Sequence, residues 1–176
     1  LPDKLFNRFS IIRSLPELSG YINNHSPEFA LGIGSPNIRQ ELCLKVQDLG
    51  GKLISVISKS ASIGHFETTL GDGLSVLRNA VIENCVSIGK GTLVHHSALV
   101  SHDVKVGVFC EISPGAKLLG RSTIGNLCHI GSNATILPDI KIGNNVRVGA
   151  GAVVTRDIPD NLTVIGIPAK ELNQLK

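Results

Sequence analysis

A period of six residues runs through the chain from Leu70 to Val154. At each step of six the residue is a branched aliphatic one: Leu70, Val76, Ile82, Ile88, Val94, Val100, Val106, Ile112, Leu118, Ile124, Ile130, Ile136, Ile142, Val148 and Val154. A small side chain often lies two positions earlier, as at Ala98 and Ala116, and a glycine often follows, as at Gly89. Strands alternate with period two and helices with period 3.6. A period of six therefore indicates a hexapeptide-repeat β-helix rather than one long helix or strand.

The composition suits such a solenoid and excludes several classes of partner. Aromatic residues make up 3% of the chain and Met and Trp are absent, so Ile, Val, Leu and Ala must fill the core. The net charge of +3 gives no basic stripe, and the aromatic platforms of single-strand binders are missing, which argues against nucleic-acid binding. No signal peptide and no run of about 20 apolar residues is present, so we expect no membrane segment and a cytoplasmic, reduced protein.

The four cysteines, Cys43, Cys85, Cys110 and Cys128, form no C-x-x-C pair. A zinc ribbon or a redox motif is therefore not indicated, and we expect no metal site. Cys110 and Cys128 are 18 residues apart at the same repeat position. A disulfide between stacked coils is one interpretation, and small buried thiols that fill an inward slot are the preferred one.

Residues 1–57 lack the period and read as a small α/β unit. The Ser14-x-x-Glu17 spacing of a capping box predicts a short helix from about Leu15 to Asn23. A second helix is predicted to start at Pro36 with Ser35 as its N-cap and to end at Gly50-Gly51. Its predicted apolar face consists of Ile38, Leu42, Val46 and Leu49.

Apolar runs over residues 29–33 and 53–57 flank that second helix. Strand, helix and strand in this order predict a βαβ unit with a small parallel sheet, resembling part of a Rossmann-like domain. The turn at residues 32–37, with Gly32 and Gly34, either holds an anion at the helix N-terminus or is only a tight turn. The first strand of such a domain is not in the sequence, which begins with Leu, so we expect the true N-terminus to lie upstream.

We therefore predict two domains, a partial α/β substrate-binding domain at residues 1–57 and a β-helix domain at residues 58–176. Residues 58–67 are predicted to be a first, irregular coil, because Ile57 and Ile63 are one residue out of phase with Leu70. Five regular coils of 18 residues follow, and residues 162–172 are predicted to cap the end as a strand and a short helix. Each coil buries its apolar row only against neighbouring coils, so both ends need such caps.

An 18-residue coil also predicts which side chains stack. His102 lies beneath Gly120, which lies beneath Pro138, and Asp103 follows His102 directly. A neighbouring carboxylate orients an imidazole and favours one tautomer, and the ordinary histidine pKa of roughly 6.5 suits proton abstraction near neutrality. A general base at His102 is one interpretation. The other is that Asp103 only forms a surface ion pair with Arg121, which stacks on it.

Two further stacking relations concern neighbouring side chains. Glu111 stacks under His129, and the two are also candidates for a surface ion pair. His95 and His96 lie one strand before His102, and we expect them to line the same cleft.

The residues from Val100 to Gly120 resemble the active-site coil of the sialic-acid O-acetyltransferase-like sugar acyltransferases. The similarity extends to Ile142–Val154, to the Asp-Ile-Pro-Asp run at residues 157–160, and to Gly-Ile-Pro-Ala-Lys at residues 166–170. That family includes the N-acetyltransferases of nucleotide-linked 4-amino sugars, such as those of bacillosamine and perosamine synthesis. The resemblance covers about residues 30 to 176, and the His-Asp coil joined to a βα unit is its most specific part.

The resemblance implies a left-handed parallel β-helix and a homotrimer with active sites between subunits, working in polysaccharide biosynthesis. It makes His102 the general base and Asp103 the residue that raises its basicity. Acetyl-CoA, as co-substrate, is expected along the groove between subunits, on backbone groups at Gly120, Ser132 and Ala150. The predicted substrate-binding residues are Gly34, on the nucleotide, with His95 and Glu111.

The chain departs from the family pattern at two places. Family members often carry a second histidine nine residues after the first, and this chain has Glu111 there. The family's N-terminal strand and glycine-rich nucleotide loop are not in the sequence.

The predicted reaction is direct acetyl transfer. His102 removes a proton from a sugar amine or hydroxyl as that group attacks the thioester, and a backbone amide such as that of Gly120 stabilises the oxyanion. No covalent nucleophile is predicted, because Cys110 and Cys128 occupy inward slots.

Other functions are open on the sequence alone. A sialic-acid-type sugar O-acetyltransferase shares the coil, and a serine or xenobiotic acetyltransferase shares the repeat and the histidine, although the βα unit argues against the latter. A γ-type carbonic anhydrase needs two zinc histidines five residues apart, and the repeat offers no such pair. A non-catalytic trimeric scaffold is the remaining alternative.

Overall fold

Three parallel sheets wind around one apolar core in the computed structural model, which describes residues 3–172. The first face consists of Val56–Ile57, Ser75–Val76, Leu93–Val94, Glu111–Ile112, His129–Ile130, Arg147–Val148 and Thr163–Ile165. The second face consists of Ser62–Ile63, Val81–Ile82, Leu99–Val100, Lys117–Leu118, Thr135–Ile136 and Val153–Val154. The third face consists of Thr69–Leu70, Ser87–Ile88, Lys105–Val106, Thr123–Ile124 and Lys141–Ile142. The chain visits the faces in this order in each coil, which confirms the predicted β-helix.

The six-residue period sets the inward face of every short strand. Each of the fifteen aliphatic positions from Leu70 to Val154 is the second residue of a strand, and all of them except the partly buried Leu70 are buried. The strands pair in parallel with a register of 18 residues, as in Leu93 with Glu111 and Lys105 with Thr123. Stacked strands bury the identical apolar rows against one another, so the core is a column rather than a globule.

The first coil carries one extra residue. Val56 pairs with Ser75 and Ser62 with Val81, whereas Thr69 pairs with Ser87 in the regular register of 18. The extra residue lies in the corner between Ile63 and Thr69, where Glu67 has a φ of +48°. The predicted one-residue phase shift is thus confirmed. The domain division after residue 57 stays a prediction, since Val56–Ile57 already pairs with the solenoid.

The N-terminal part is a small α/β unit. It contains a hairpin of Lys4–Leu5 and Phe9–Ser10, helix α1 at Leu15–Asn24, a strand at Glu28–Phe29, helix α2 at Pro36–Asp48 and a strand at Lys52–Leu53. Ser14 caps α1 as predicted, because its hydroxyl oxygen accepts the Glu17 N–H at 3.3 Å. Glu28–Phe29 and Lys52–Leu53 pair in parallel, so the predicted βαβ unit is confirmed, with strands shorter than the apolar runs.

The predicted apolar face of α2 was wrong for two of its four residues, while Val46 and Leu49 are half-buried. Ile38 and Leu42 are exposed, while Arg39 and Cys43 are buried. The buried side of the helix faces backbone carbonyls of the turn and of the solenoid, and an arginine can satisfy these groups whereas an aliphatic side chain cannot. Ser35 is the N-cap and Pro36 begins the helix, as predicted, although the Ser35 side chain makes no capping hydrogen bond.

The C-terminal cap differs in part from the prediction. The strand Thr163–Ile165 pairs with Arg147–Val148, as expected of a cap. In place of a short helix, residues 166–169 form a turn and Lys170–Glu171 returns as an antiparallel strand. The Ala169 N–H donates to the Val153 carbonyl at 2.8 Å, which holds this turn on the second face. In the described part of the chain, no helix is long and apolar enough to cross a bilayer.

Candidate functional site

His102 and Asp103 lie in the corner between the second and third faces. The imidazole Nδ1 and the Asp103 Oδ2 are 2.8 Å apart, and both side chains are about half exposed. Asp103 has a φ of +61°, the left-handed conformation that turns the chain at this corner. With the proton on Nδ1 donated to Asp103, the lone pair of Nε2 is left to accept a proton. This pair has the geometry of a general base with its orienting carboxylate.

Gly120 lies against the ring of His102, as the 18-residue coil predicts. A Cβ at Gly120 would stand 2.6 Å from Cε1 and 2.7 Å from Nε2 of His102. The position needs glycine because the ring fills the space, since the φ of Gly120 is not in the left-handed region. The Arg121 N–H donates to the His102 carbonyl and the Asp139 N–H to the Gly120 carbonyl, which fixes the stacking of the three coils.

Arg121 pairs with the coil above and not with Asp103. Its Nε and Nη2 donate to the two carboxylate oxygens of Asp139 at 2.7 and 2.8 Å. This hydrogen bonding raises the pKa of Arg121 and lowers the pKa of Asp139. The alternative in which Asp103 serves only as half of an ion pair with Arg121 is therefore not the arrangement found.

A second cluster of titratable side chains lies on the first face. The Glu111 carboxylate is 3.5 Å from Nε2 of His95 and 3.9 Å from Nε2 of His129, so Glu111 does stack with His129. The Ser113 hydroxyl is 3.1 Å from Nε2 of His129. Burial lowers the pKa of His95, against the opposing effect of the Glu111 charge. His95 therefore stays neutral at neutral pH, and its Nδ1 is buried without a partner among the described residues.

The turn at residues 32–37 lies over this cluster. A Cβ at Gly34 would stand 3.0 Å from both carboxylate oxygens of Glu111. A cavity of about 330 Å³ opens beside them, lined by residues that include Gly32, Gly34, Ser75 and His95. The three predicted substrate-binding residues, Gly34, His95 and Glu111, are thus brought together by the fold.

Arg39 ties this turn to the solenoid. It is fully buried, and its guanidinium donates to the carbonyls of Leu31, Ile33 and Gly91 at 3.1, 2.6 and 3.0 Å. Burial lowers the pKa of Arg39, while the nearby Glu111 charge opposes that effect. The arginine therefore fixes the distance between the Gly34 turn and the first face.

The residues expected to hold the acetyl donor lie at two corners. Ser132 and Ala150 stack in the corner between the first and second faces, where the Gly151 N–H donates to the Ser132 carbonyl at 2.8 Å. Gly120 lies in the next corner, with His102. Among residues 3–172, no hydrogen bond or ion pair joins the first-face cluster to His102 within one chain.

An open groove of about 420 Å³ borders Asp103 on the third face. Its lining includes Cys85, Lys105 and Arg121. Cys110 and Cys128 are free thiols buried in inward slots, as preferred from the sequence, and their Sγ atoms donate to the carbonyls of Gly125 and Gly143. Within residues 3–172, no three His, Cys, Asp or Glu side chains are grouped as metal ligands.

Three contributors to these sites were missed from the sequence. Arg39 carried no signal, because its role depends on carbonyl positions. Ser113 belongs to the Glu111 cluster. It could have been found from the sequence, because side chains two residues apart in a strand point to the same side. Glu83 lies one coil below His102, and its carboxylate accepts hydrogen bonds from Ser101 and His102. Glu83 lies 19 residues before His102, which is one more than the coil length. Stacking by 18 residues therefore predicts a contact of Glu83 with Ser101 and not with His102.

Comparisons with known proteins agree with this geometry. The family model of the bacterial transferase hexapeptide (six repeats) matches residues 121–156. A search of curated proteins gives no match. Among solved structures, a histidine-to-asparagine mutant of perosamine N-acetyltransferase from Caulobacter crescentus, in complex with CoA and GDP-perosamine, is similar. It is 30% identical with a TM-score of 0.89, over 93% of this chain and 77% of that one.

Two other solved structures are similar over nearly the whole chain. The acetyltransferase domain of PglB from Neisseria gonorrhoeae, in complex with acetyl coenzyme A, is 32% identical with a TM-score of 0.87, over 98% of this chain and 83% of that one. WeeI from Acinetobacter baumannii is 26% identical with a TM-score of 0.90, over 98% of this chain and 82% of that one.

Proposed function

Since the chain belongs to the hexapeptide-repeat sugar acetyltransferases, which use acetyl-CoA, we propose that it acetylates the amino group of a nucleotide-linked 4-amino sugar. His102 takes a proton from the acceptor amine as its nitrogen attacks the acetyl carbonyl. The tetrahedral intermediate then expels coenzyme A as the thiol, and no acetyl-enzyme forms. The observation that carries the proposal is the His102–Asp103 pair, 2.8 Å apart, set against Gly120.

The amide of Gly120 is suited to stabilise the oxyanion. At four other corner positions, an Asn or Asp side chain of the next coil accepts the backbone N–H; the donors are Phe66, Val108, Asn126 and Asn144. Above Gly120 the equivalent position is Pro138, which offers no such acceptor. Within residues 3–172 the Gly120 N–H has no acceptor, although Gly120 is buried. An unpaired N–H on the glycine that lies against the imidazole is suited to stabilise an oxygen that becomes negative during the reaction.

The first-face cavity is the proposed site for the acceptor sugar nucleotide. The missing side chain at Gly34 lets the turn lie close to the Glu111 carboxylate, and Glu111, half-buried between two imidazoles, offers this carboxylate to a sugar amine or hydroxyl. The perosamine N-acetyltransferase of similar fold has GDP-perosamine bound. A nucleotide-linked amino sugar is therefore the acceptor class that we favour over free sialic acid.

We infer that the protein works as a homotrimer with active sites between subunits. In one chain His102 lies at a corner, while Gly34, His95 and Glu111 lie on another face. Packing the corner of one subunit against the first face of its neighbour would bring base and acceptor together. Acetyl-CoA would then extend along that junction over Gly120, Ser132 and Ala150.

The test is thiol release from acetyl-CoA with a panel of acceptors. We expect UDP-, GDP- or dTDP-linked 4-amino sugars to support release, free sialic acid not to, and His102→Ala to lower kcat by about 10²- to 10⁴-fold. His65→Ala, an exposed histidine on another coil, is the matched control. Release with sialic acid alone would show that the acceptor group is a hydroxyl and not an amine. Full activity of His102→Ala, or no release with any acceptor, would reject the proposal.

A further inference from the structure

The backbone of His102 is held from below by a residue outside the His-Asp pair. The Glu83 Oε2 accepts the His102 N–H at 2.7 Å and the Ser101 hydroxyl at 2.7 Å. Glu83 follows the strand Val81–Ile82 on the second face, one coil beneath Leu99–Val100, and its side chain is half-buried. One acceptor oxygen therefore holds donors of two adjacent residues at short distances, which makes the Glu83 side chain an anchor for this corner.

The anchor differs from the four corners at which a side chain of the following coil accepts the N–H. Phe66, Val108, Asn126 and Asn144 each donate their N–H to a side chain of the following coil. At His102 the following coil places Gly120, which has no side chain to accept a hydrogen bond. Any side chain there would collide with the imidazole, since even a Cβ would come within 2.7 Å of Nε2.

The same glycine therefore makes room for the ring and leaves no side chain of the following coil to accept the His102 N–H. The Arg121 N–H already holds the His102 carbonyl and the Asn84 carbonyl accepts the Asp103 N–H, so the His102 N–H is the remaining backbone group to be held at this corner. Glu83 restores the hydrogen bond from the opposite side, out of the way of Nε2. Because Oε2 also binds the Ser101 hydroxyl, the carboxylate is fixed at two points.

We propose that Glu83 is a positioning residue for acetyl transfer, which holds the His102 backbone so that Nε2 stays aligned on the reacting groups. Only the expected effect of Glu83 on catalysis depends on the proposed function. Misplacing a catalytic group by about 1 Å costs on the order of 10²-fold in rate. The required property of Glu83 is the reach of an acceptor oxygen to the His102 N–H, and the negative charge is secondary.

Two conservative variants separate reach from charge. Glu83→Gln keeps the length of the side chain and an acceptor oxygen but loses the charge. Glu83→Asp keeps the charge and is one methylene shorter. We expect Glu83→Gln to retain kcat within about threefold, and Glu83→Asp and Glu83→Ala to lower it about 10- to 100-fold with unchanged KM for acetyl-CoA. Asn84→Ala, which removes a corner cap on Phe66 and not on His102, is the matched control and should keep kcat.

A readout independent of acetyl transfer is amide hydrogen exchange of His102, followed by NMR in the resting protein. We expect exchange at least about tenfold faster in Glu83→Asp and Glu83→Ala, and near wild type in Glu83→Gln and Asn84→Ala. Wild-type exchange in Glu83→Asp, or equal losses of kcat in the Gln and Asp variants, would overturn the proposal. If no acceptor is acetylated by the wild type, the proposed function fails while the exchange pattern still decides on the anchor.

Discussion

At the scale of single residues, the site depends on neighbours that have no side chain or whose side chain cannot accept a hydrogen bond. Gly120 has room for nothing beyond its own backbone because the His102 ring occupies the space. Pro138 above it offers no acceptor for the Gly120 N–H. Asp103, by contrast, keeps its full contact with the imidazole because Arg121 turns upward to Asp139. The proposed chemistry therefore depends on small or non-bonding neighbours above His102 as much as on His102 itself.

Gly120→Ala is expected to displace the His102 ring without straining the backbone. We predict a loss of kcat of about 100-fold, measured by thiol release with saturating acetyl-CoA, and a lower melting temperature. In the double variant with His102→Ala, the alanine at position 120 no longer meets a ring, so its effect on stability should disappear. If the double variant loses as much stability as the two single variants together, this explanation is contradicted.

His95 is expected to make stability depend on pH. Burial lowers its pKa in the folded chain, whereas an unfolded histidine titrates near about 6.5. Below that pH the unfolded chain binds a proton that the folded chain does not, so the free energy of unfolding falls as the pH drops through the folded pKa. His95→Asn should flatten this dependence between about pH 7.5 and about pH 5, as measured by urea unfolding. His65→Asn, at an exposed position, should leave the slope as in wild type.

At the scale of elements, α2 and the solenoid are joined through polar contacts as well as apolar ones. Arg39 reaches carbonyls on both sides of the junction, those of Leu31 and Ile33 in the turn and that of Gly91 in the solenoid. A small second core of Leu31, Cys43, Leu53 and Phe109 packs around it. The turn that carries Gly34 is thereby held at a fixed height over Glu111.

Arg39→Lys keeps the positive charge and loses the planar fork of donors. A lysine cannot reach three carbonyls in these directions, so buried carbonyls are left unpaired. We expect the free energy of unfolding to fall by about 2–4 kcal/mol, measured in urea, with a raised KM for the acceptor. Lys45→Ala, on the exposed side of the same helix, should change neither. An unchanged KM together with lost stability would limit Arg39 to a structural role.

The sequence predicted the positions of the strands along the coils well, but it did not predict which neighbours the polar side chains would contact. The period of six predicted every strand from Thr69–Leu70 to Val153–Val154, because each aliphatic residue has only one inward slot. The coil length likewise put Gly120 over His102. It could not tell that Arg121 would turn up to Asp139, or that Glu83 would reach sideways to His102. On α2, apolar spacing predicted Ile38 and Leu42 as the buried face, because the pattern contains no information about the carbonyls that Arg39 satisfies.

At the scale of the whole molecule, the proposed acceptor site and the proposed base lie on different sides of the three-sided solenoid. His102 is in the corner between the second and third faces, and the cavity with Gly34 and His95 is on the first face. A single chain holds both halves of the chemistry but does not place them together. Assembly around a threefold axis would repeat the same junction three times, with each subunit contributing both halves to different sites.

Mixing two inactive variants tests this arrangement. His102→Ala lacks the base, and Glu111→Ala is expected to lose acceptor binding. If the two residues act across a subunit boundary, refolding equal amounts together should restore activity at about a quarter of the sites, because each junction samples both chains at random. The variants refolded separately are the controls. Absence of recovery in mixed trimers of verified mass would place both residues in one chain's site.

The extra residue in the first coil has a consequence for how such a chain tolerates change. Glu67 and its neighbours absorb one additional residue within a single corner, and the strand Thr69–Leu70 that follows resumes the regular register with Ser87–Ile88. An insertion at a corner is thus cancelled before the next strand and is not passed on along the column. Loops of new length or new specificity can be grafted at the corners while His102 and Gly120 keep their mutual alignment.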